Sequence, residues 1–198
     1  MTSPRRAPSA DAATDAEAHW PDTAVFTVGH STLSSEQFVA VLRAYDIGRL
    51  ADVRTVPRSR RNPQFNADAL ASALRAENIE YVPLPSLGGL RHARKDSPNG
   101  GWRNASFRGY ADYMQTPEFE SGLDALIRMS REKRTAIMCA EAVPWRCHRS
   151  LVADALEARE IPVVEILSVK SARMHKLTPF ARVDGTRVTY PPEQMDLL

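Results

Sequence analysis

The stretch Thr135 to Ser150 holds both cysteines of the chain, Cys139 and Cys147, together with Glu141, Arg146, His148 and Arg149. A thiol is a nucleophile, redox centre or metal ligand only as the thiolate, and nearby cations and a helix N-terminus favour that form. The residue types therefore suit thiol chemistry beside an acid/base and an anion clamp. Cys139 follows the apolar run Ala136-Ile137-Met138, which reads as a buried strand. Pro144 sits in a tight link, after which a helix is expected to carry Cys147, His148 and Arg149 in its first turn. Either cysteine could serve as nucleophile or redox thiol; the plainer alternative is a small buried hydrophobe. Glu141 could act as general acid/base or bridge to Arg146 or Arg149. Cys139, Glu141, Cys147 and His148 are also zinc-competent types. Their spacing fits no common finger or ribbon, and adjacent helical residues diverge by about 100°, so no metal and no cofactor is assigned.

These groups need a scaffold, and the hydropathy pattern supplies one. Ala24–Val28, Leu50–Val53, Glu80–Leu84, Ala136–Cys139 and Pro162–Leu167 read as strands. Helical periods lie between them, one capped by Ser34 with Gln37 and ended by Gly48, one capped by Asn66, and one capped by Thr116 with Pro117 at its first position. Strands apolar on both faces, alternating with helices, predict an α/β fold. It is an open, mostly parallel, Rossmann-like sheet of about five strands with helices on both faces. Asp184-Gly185 adds a C-terminal β-hairpin signal. Residues 1–22 read as a disordered tail and 23–198 as a single α/β domain. Leu90–Ser106 is a long basic loop, a length associated with function or disorder.

In such sheets the strand exits share one edge, where ligands bind. His30 and Ser31 follow the first strand, Asp52 and Arg54 end the second, Gly88 and Gly89 follow the third, and Cys139 and Glu141 follow the fourth. Arg54, Arg146 and Arg149 suit a phosphate or carboxylate. His30 could shuttle protons or be a structural donor, and Asp52 could pair with Arg54 or orient His30.

The chain has 198 residues and a net charge of +2, with 43% hydrophobic and 25% charged residues. Composition thus excludes a disordered or membrane-spanning class. Arg5 and Arg6 are not followed by an apolar h-region, so no secretory signal is expected. Two cysteines make no disulfide framework, which points to a reducing cytoplasm and free thiols. Basic residues gather in Arg54–Arg61 and Arg91–Arg108, with Trp102, Phe107 and Tyr110 interleaved in the second group. The expected partner is an anionic small molecule or a nucleic acid, and no membrane.

Gly29-His30-Ser31, Asp52-Val53-Arg54 with Pro57, Leu87-Gly88-Gly89, and Met138-Cys139-Ala140-Glu141 followed by Cys147-His148-Arg149 together resemble the domain-of-unknown-function 488 family, over roughly Phe26 to Ile166. The resemblance implies the same α/β layout and site location, and supplies no reaction. Asn78 and Glu160 stand where the family often has Gly. Asn suits a left-handed helix end and Glu does not. The reading favoured is an enzyme acting on a nucleotide, nucleic-acid or phosphorylated substrate. The alternatives are a non-catalytic nucleic-acid-binding module, a metal-binding Cys/His site, and a protein-interaction domain with inert cysteines.

Overall fold

The computed structural model describes residues 19–192; most of the tail expected at 1–22 lies outside them. The strands are β1 (Val25–Gly29), β2 (Arg49–Asp52), β3 (Glu80–Pro83), β4 (Thr135–Cys139), β5 (Val163–Ser168) and β6 (Ser171–Met174). They form one sheet in the order β3-β2-β4-β1-β5-β6. The first five are parallel, and β6 runs antiparallel to β5. A separate hairpin pairs β7 (Arg182–Asp184) with β8 (Arg187–Thr189), turning at Gly185 with a φ of +58°. The α/β expectation holds, with β6 as an additional edge strand. Its sequence, Ser-Ala-Arg-Met, has no apolar run to announce it.

Helices cover both faces. On one side α1 (Ser35–Ala44) and α2 (Ala67–Ala76) bury Phe38, Leu42, Leu70 and Leu74 against Phe26, Val28, Leu50 and Met138. On the other, α3 (Ala105–Tyr113), α4 (Pro117–Glu132) and α5 (Arg149–Glu157) pack on Val25, Ala51, Val53 and Ile137. Successive strand residues alternate between these two cores, as the pleat requires.

Local chemistry explains the boundaries. Ser34 and Gln37 form the expected capping box on α1. Thr116 accepts from the Phe119 amide, and Pro117 opens α4. Gly48 does not end α1: the helix stops at Ala44, and Asp46 takes the left-handed turn at φ 52°. Asn66 stands at the N-cap of α2, but its side chain accepts from the Ser59 amide instead. The first-turn placement of Cys147 and His148 is also corrected. Pro144–Arg146 closes its own 3-10 turn, with the Cys147 amide donating to the Pro144 carbonyl. Cys147 must then extend, at φ −132° and ψ 145°, before α5 starts at Arg149 with His148 as its cap.

The long basic loop is ordered by buried polar groups. Asp112 accepts from the Arg94 amide, the Ser97 hydroxyl and the Asn99 side-chain amide. Asn99, fully buried, in turn accepts from the Tyr190 amide. A second network ties β5, β6 and α5 together. The two His175 ring nitrogens each lie 2.8 Å from a carboxylate, Nδ1 from Glu165 and Nε2 from Asp154. Arg173 donates to Glu165, and the Tyr190 hydroxyl donates to Asp154.

Two expectations follow. Asn78 and Glu160 both sit at φ 59°, and a glutamate there carries Cβ strain that glycine lacks. Glu160→Gly is expected to raise unfolding free energy by about 0.5–1 kcal/mol, read by chemical denaturation. Burial alone would depress the His175 imidazolium, but its carboxylate partners outweigh burial and raise its pKa from 6.5 to about 9. Its contribution to stability is therefore complete below pH 6.5 and is lost as the pH rises through 9. His175→Ala should cost roughly 3 kcal/mol near neutral pH and flatten the alkaline decline in thermal stability. A decline of unchanged steepness in the variant would show that His175 does not titrate there.

Candidate functional site

The strand exits meet at one edge, but the pleat sorts their side chains onto two sides. Cys139 follows Ile137 onto the face covered by α5 and packs against that core. Asp52 and Arg54 follow Leu50 onto the α1/α2 face. The thiols and the Asp52–Arg54 pair are therefore back to back.

On the α5 face, two sulfurs, an imidazole and a guanidinium converge. Cys139 Sγ, Cys147 Sγ and a His148 ring nitrogen all lie within 4.8 Å of one another. The extended backbone at Cys147 is what allows this, since neighbours on a continuous helix would diverge. His148 Nε2 donates to the Val53 carbonyl at 3.1 Å, which leaves Nδ1 facing Cys147 Sγ at 3.7 Å. The ring rests on Gly89, where an added Cβ would stand 3.0 Å from Nδ1, and its centroid lies 5.0 Å from that of Tyr110. Gly29 is equally constrained, because the chain at Glu141 and Ala142 crosses directly over it.

Arg149 is fully buried. Its guanidinium donates to the Thr27 hydroxyl at 2.6 Å and to the Glu141 carbonyl, while Nε is buried with no hydrogen-bond partner. No carboxylate pairs with it among the described residues. A buried charge without a counter-charge costs several kcal/mol, and the thiols are the acidic groups beside it. The hydrogen bond from Cys139 lowers the Cys147 pKa most, against burial, with His148 and Arg149 adding to the effect. The same hydrogen bond and burial raise that of Cys139. The two shifts run in opposite directions, favouring the anionic form at Cys147 and the protonated form at Cys139.

The other face holds a closed network. Arg54 donates Nε and Nη2 to Asp52 and Nη2 also to the Phe65 carbonyl. Asp52 further accepts from the Tyr81 hydroxyl at 2.7 Å. His30 stacks on Phe65 at 4.0 Å between centroids. Its Nδ1 donates to the Ser31 carbonyl, which leaves Nε2 facing Arg54 at 3.4 Å. Burial, with the Arg54 and Arg149 charges, lowers the His30 pKa to about 4 against the pull of that carbonyl, so the ring is neutral.

The remaining candidates divide the same way. Ser31 contributes backbone, at φ 48°, its amide donating to the Ala140 carbonyl. Glu141 is exposed and engages Arg149 through its carbonyl; Arg146 is exposed at the turn. Gly88 and Gly89 act as packing surface, and the Gly89 carbonyl accepts from Thr55. Thr27, Tyr81 and the Val53 carbonyl were not anticipated, and Tyr110, noted as an interleaved aromatic, is instead buried against His148. Thr27 alone left a trace, as the one hydroxyl inside an otherwise apolar strand.

Gly89→Ala is expected to displace the His148 ring and slow alkylation of Cys147 several-fold while far-UV circular dichroism stays unchanged. An unaltered rate would mean that the ring does not act on the thiol.

Comparison with known proteins agrees with this layout. The family model described as domain of unknown function DUF488 matches residues 34–156, from the cap of α1 to the end of α5. The match begins after Gly29-His30-Ser31 and takes in every other motif quoted above. No curated protein and no solved structure matches the chain. With well over half its length matched, the chain belongs to the DUF488 family.

Proposed function

We propose that the protein is an enzyme whose nucleophile is the Cys147 thiolate, acting on an anionic substrate such as a nucleotide, a nucleic-acid end or another phosphorylated molecule. One observation carries the reading: the buried Arg149 guanidinium has no carboxylate partner among the described residues and lies beside two thiols. Cys147 supplies the negative charge that balances it. Cys139 holds the nearest exchangeable proton and is the more accessible of the two sulfurs. His148, oriented by the Val53 carbonyl, turns Nδ1 toward Cys147 Sγ at 3.7 Å and serves as a proton carrier. Arg54 and Arg149 are committed internally, so the substrate's anion is met by exposed cations around the Pro144–Arg146 turn, Arg146 among them.

The clustering of Cys139, Cys147 and His148 favours one second reading, a metal centre. Charge separates the two. A divalent ion bound by two thiolates is already neutral and leaves Arg149 uncompensated, whereas a single thiolate balances it. The exposed Arg58, Arg60 and Arg61 support nucleic-acid binding only through solvated charges.

The test is the pH dependence of iodoacetamide labelling. Cys147 is expected to label with an apparent pKa well below the roughly 8.5 of a free cysteine. Arg149→Met and Cys139→Ala should each raise that pKa and slow labelling at pH 6 by about tenfold or more, and Arg149→Lys should preserve it. Labelling of both thiols only after denaturation would remove the nucleophile. Stoichiometric metal in the purified protein, with stability lost on chelation, would favour the second reading.

A further inference from the structure

A cavity of about 630 Å³ opens between the Pro144–Arg146 turn and the chain leaving β6. Its size falls within the roughly 300–1,000 Å³ of small-molecule sites. Three aromatic residues line it, Trp102, Trp145 and Phe180, with Arg173 and Lys176 on the same wall. We propose that this cavity binds a nucleobase together with its phosphate, the base stacking on Trp145 and the phosphate resting on Arg173 and Lys176. The proposal deepens the anionic-substrate reading above by giving that substrate a place.

Four observations lead to this ligand. Trp145 is 59% exposed on a turn already fixed by Pro144, so core packing does not account for the indole. An exposed indole is a platform on which any base can stack, and the Arg173 guanidinium already lies 5.1 Å from its ring centroid. Secondly, Trp102 and Phe180 line the same cavity with their ring centroids 4.9 Å apart, so its wall is aromatic and matches a flat base. Thirdly, the charges leave a surplus. Arg173 and His175 offset Glu165 and Asp154, whereas Lys176 is exposed and meets no carboxylate among the described residues. The wall is therefore one positive charge in excess and suits an anion. Lastly, the cavity adjoins the thiols. Ser150 lines it and donates its hydroxyl to the Cys147 carbonyl at 3.0 Å. A ligand seated there presses on the turn that carries Cys147.

The experiment titrates the full-length protein with adenosine monophosphate and, separately, with a short single-stranded oligothymidylate, following tryptophan fluorescence and equilibrium dialysis. Binding that weakens with salt is expected. Trp145→Ala, a surface change that leaves the core intact, should weaken it by about tenfold. Lys176→Ala should weaken it and reduce its salt dependence. Binding of the mononucleotide marks a free nucleotide as the ligand; binding of the oligomer alone marks a nucleic-acid end. Cys147→Ser should bind as the unaltered protein does, which separates this cavity from the fate of the nucleophile. Failure of both ligands to bind at millimolar concentration, or binding indifferent to Trp145→Ala, overturns the proposal.

Discussion

A guanidinium buried without a carboxylate partner among the described residues is the constraint around which this molecule is arranged. Arg149 opens α5, reaches across the sheet to Thr27 on β1, and holds the loop after β4 through the Glu141 carbonyl. Those two hydrogen bonds join three elements, but neither partner carries a charge. The acidic groups nearby are the two thiols, and Cys139, His148 and Arg149 all favour the anionic form of Cys147. On the proposed reading the thiolate that answers this charge is also the nucleophile.

The opposite face solves a similar problem in the conventional way. Arg54 is matched by Asp52, Asp52 by Tyr81 as well, and His30 is kept neutral between Ser31, Arg54 and Phe65. Every strong donor there has an acceptor, so the cluster reads as a structural clamp on the exits of β1 and β2. The third network, Glu165–His175–Asp154, joins β6 to α5 and lies partly beyond the matched family region. It joins the C-terminal strands to the helix that starts at the thiols.

Much of this was legible in the residues. The parallel strands, the capping box on α1, the Pro117 helix start and the hairpin at Gly185 are local signals, and they survive folding because tertiary contacts agree with them. The convergence of Cys139 with Cys147 and His148 was legible as a cluster of types. Its geometry was not, because Pro144 closes a separate turn and shifts the start of α5. Nor could the sequence show that Arg54 and Asp52 lie on the other side of the sheet from Cys139. In strands apolar on both faces, alternation carries no polarity to mark which side a residue takes. β6 escaped because an edge strand needs only one partner and few apolar residues. The His175 network escaped because its three members stand on different elements, and only the packing of β5, β6 and α5 brings them together.

The position of β4 in the sheet has its own consequence. It is flanked by β2 on one side and β1 on the other, the β1 ladder running to Cys139 and the β2 ladder to Met138. Cys139 is therefore mounted at the end of a strand paired on both sides, the kind of position where local opening costs most. Cys147 is mounted on a short turn outside the ladder. Any change in the spacing of the two sulfurs is thus a displacement of that turn against a fixed post, and the whole site has a single soft degree of freedom.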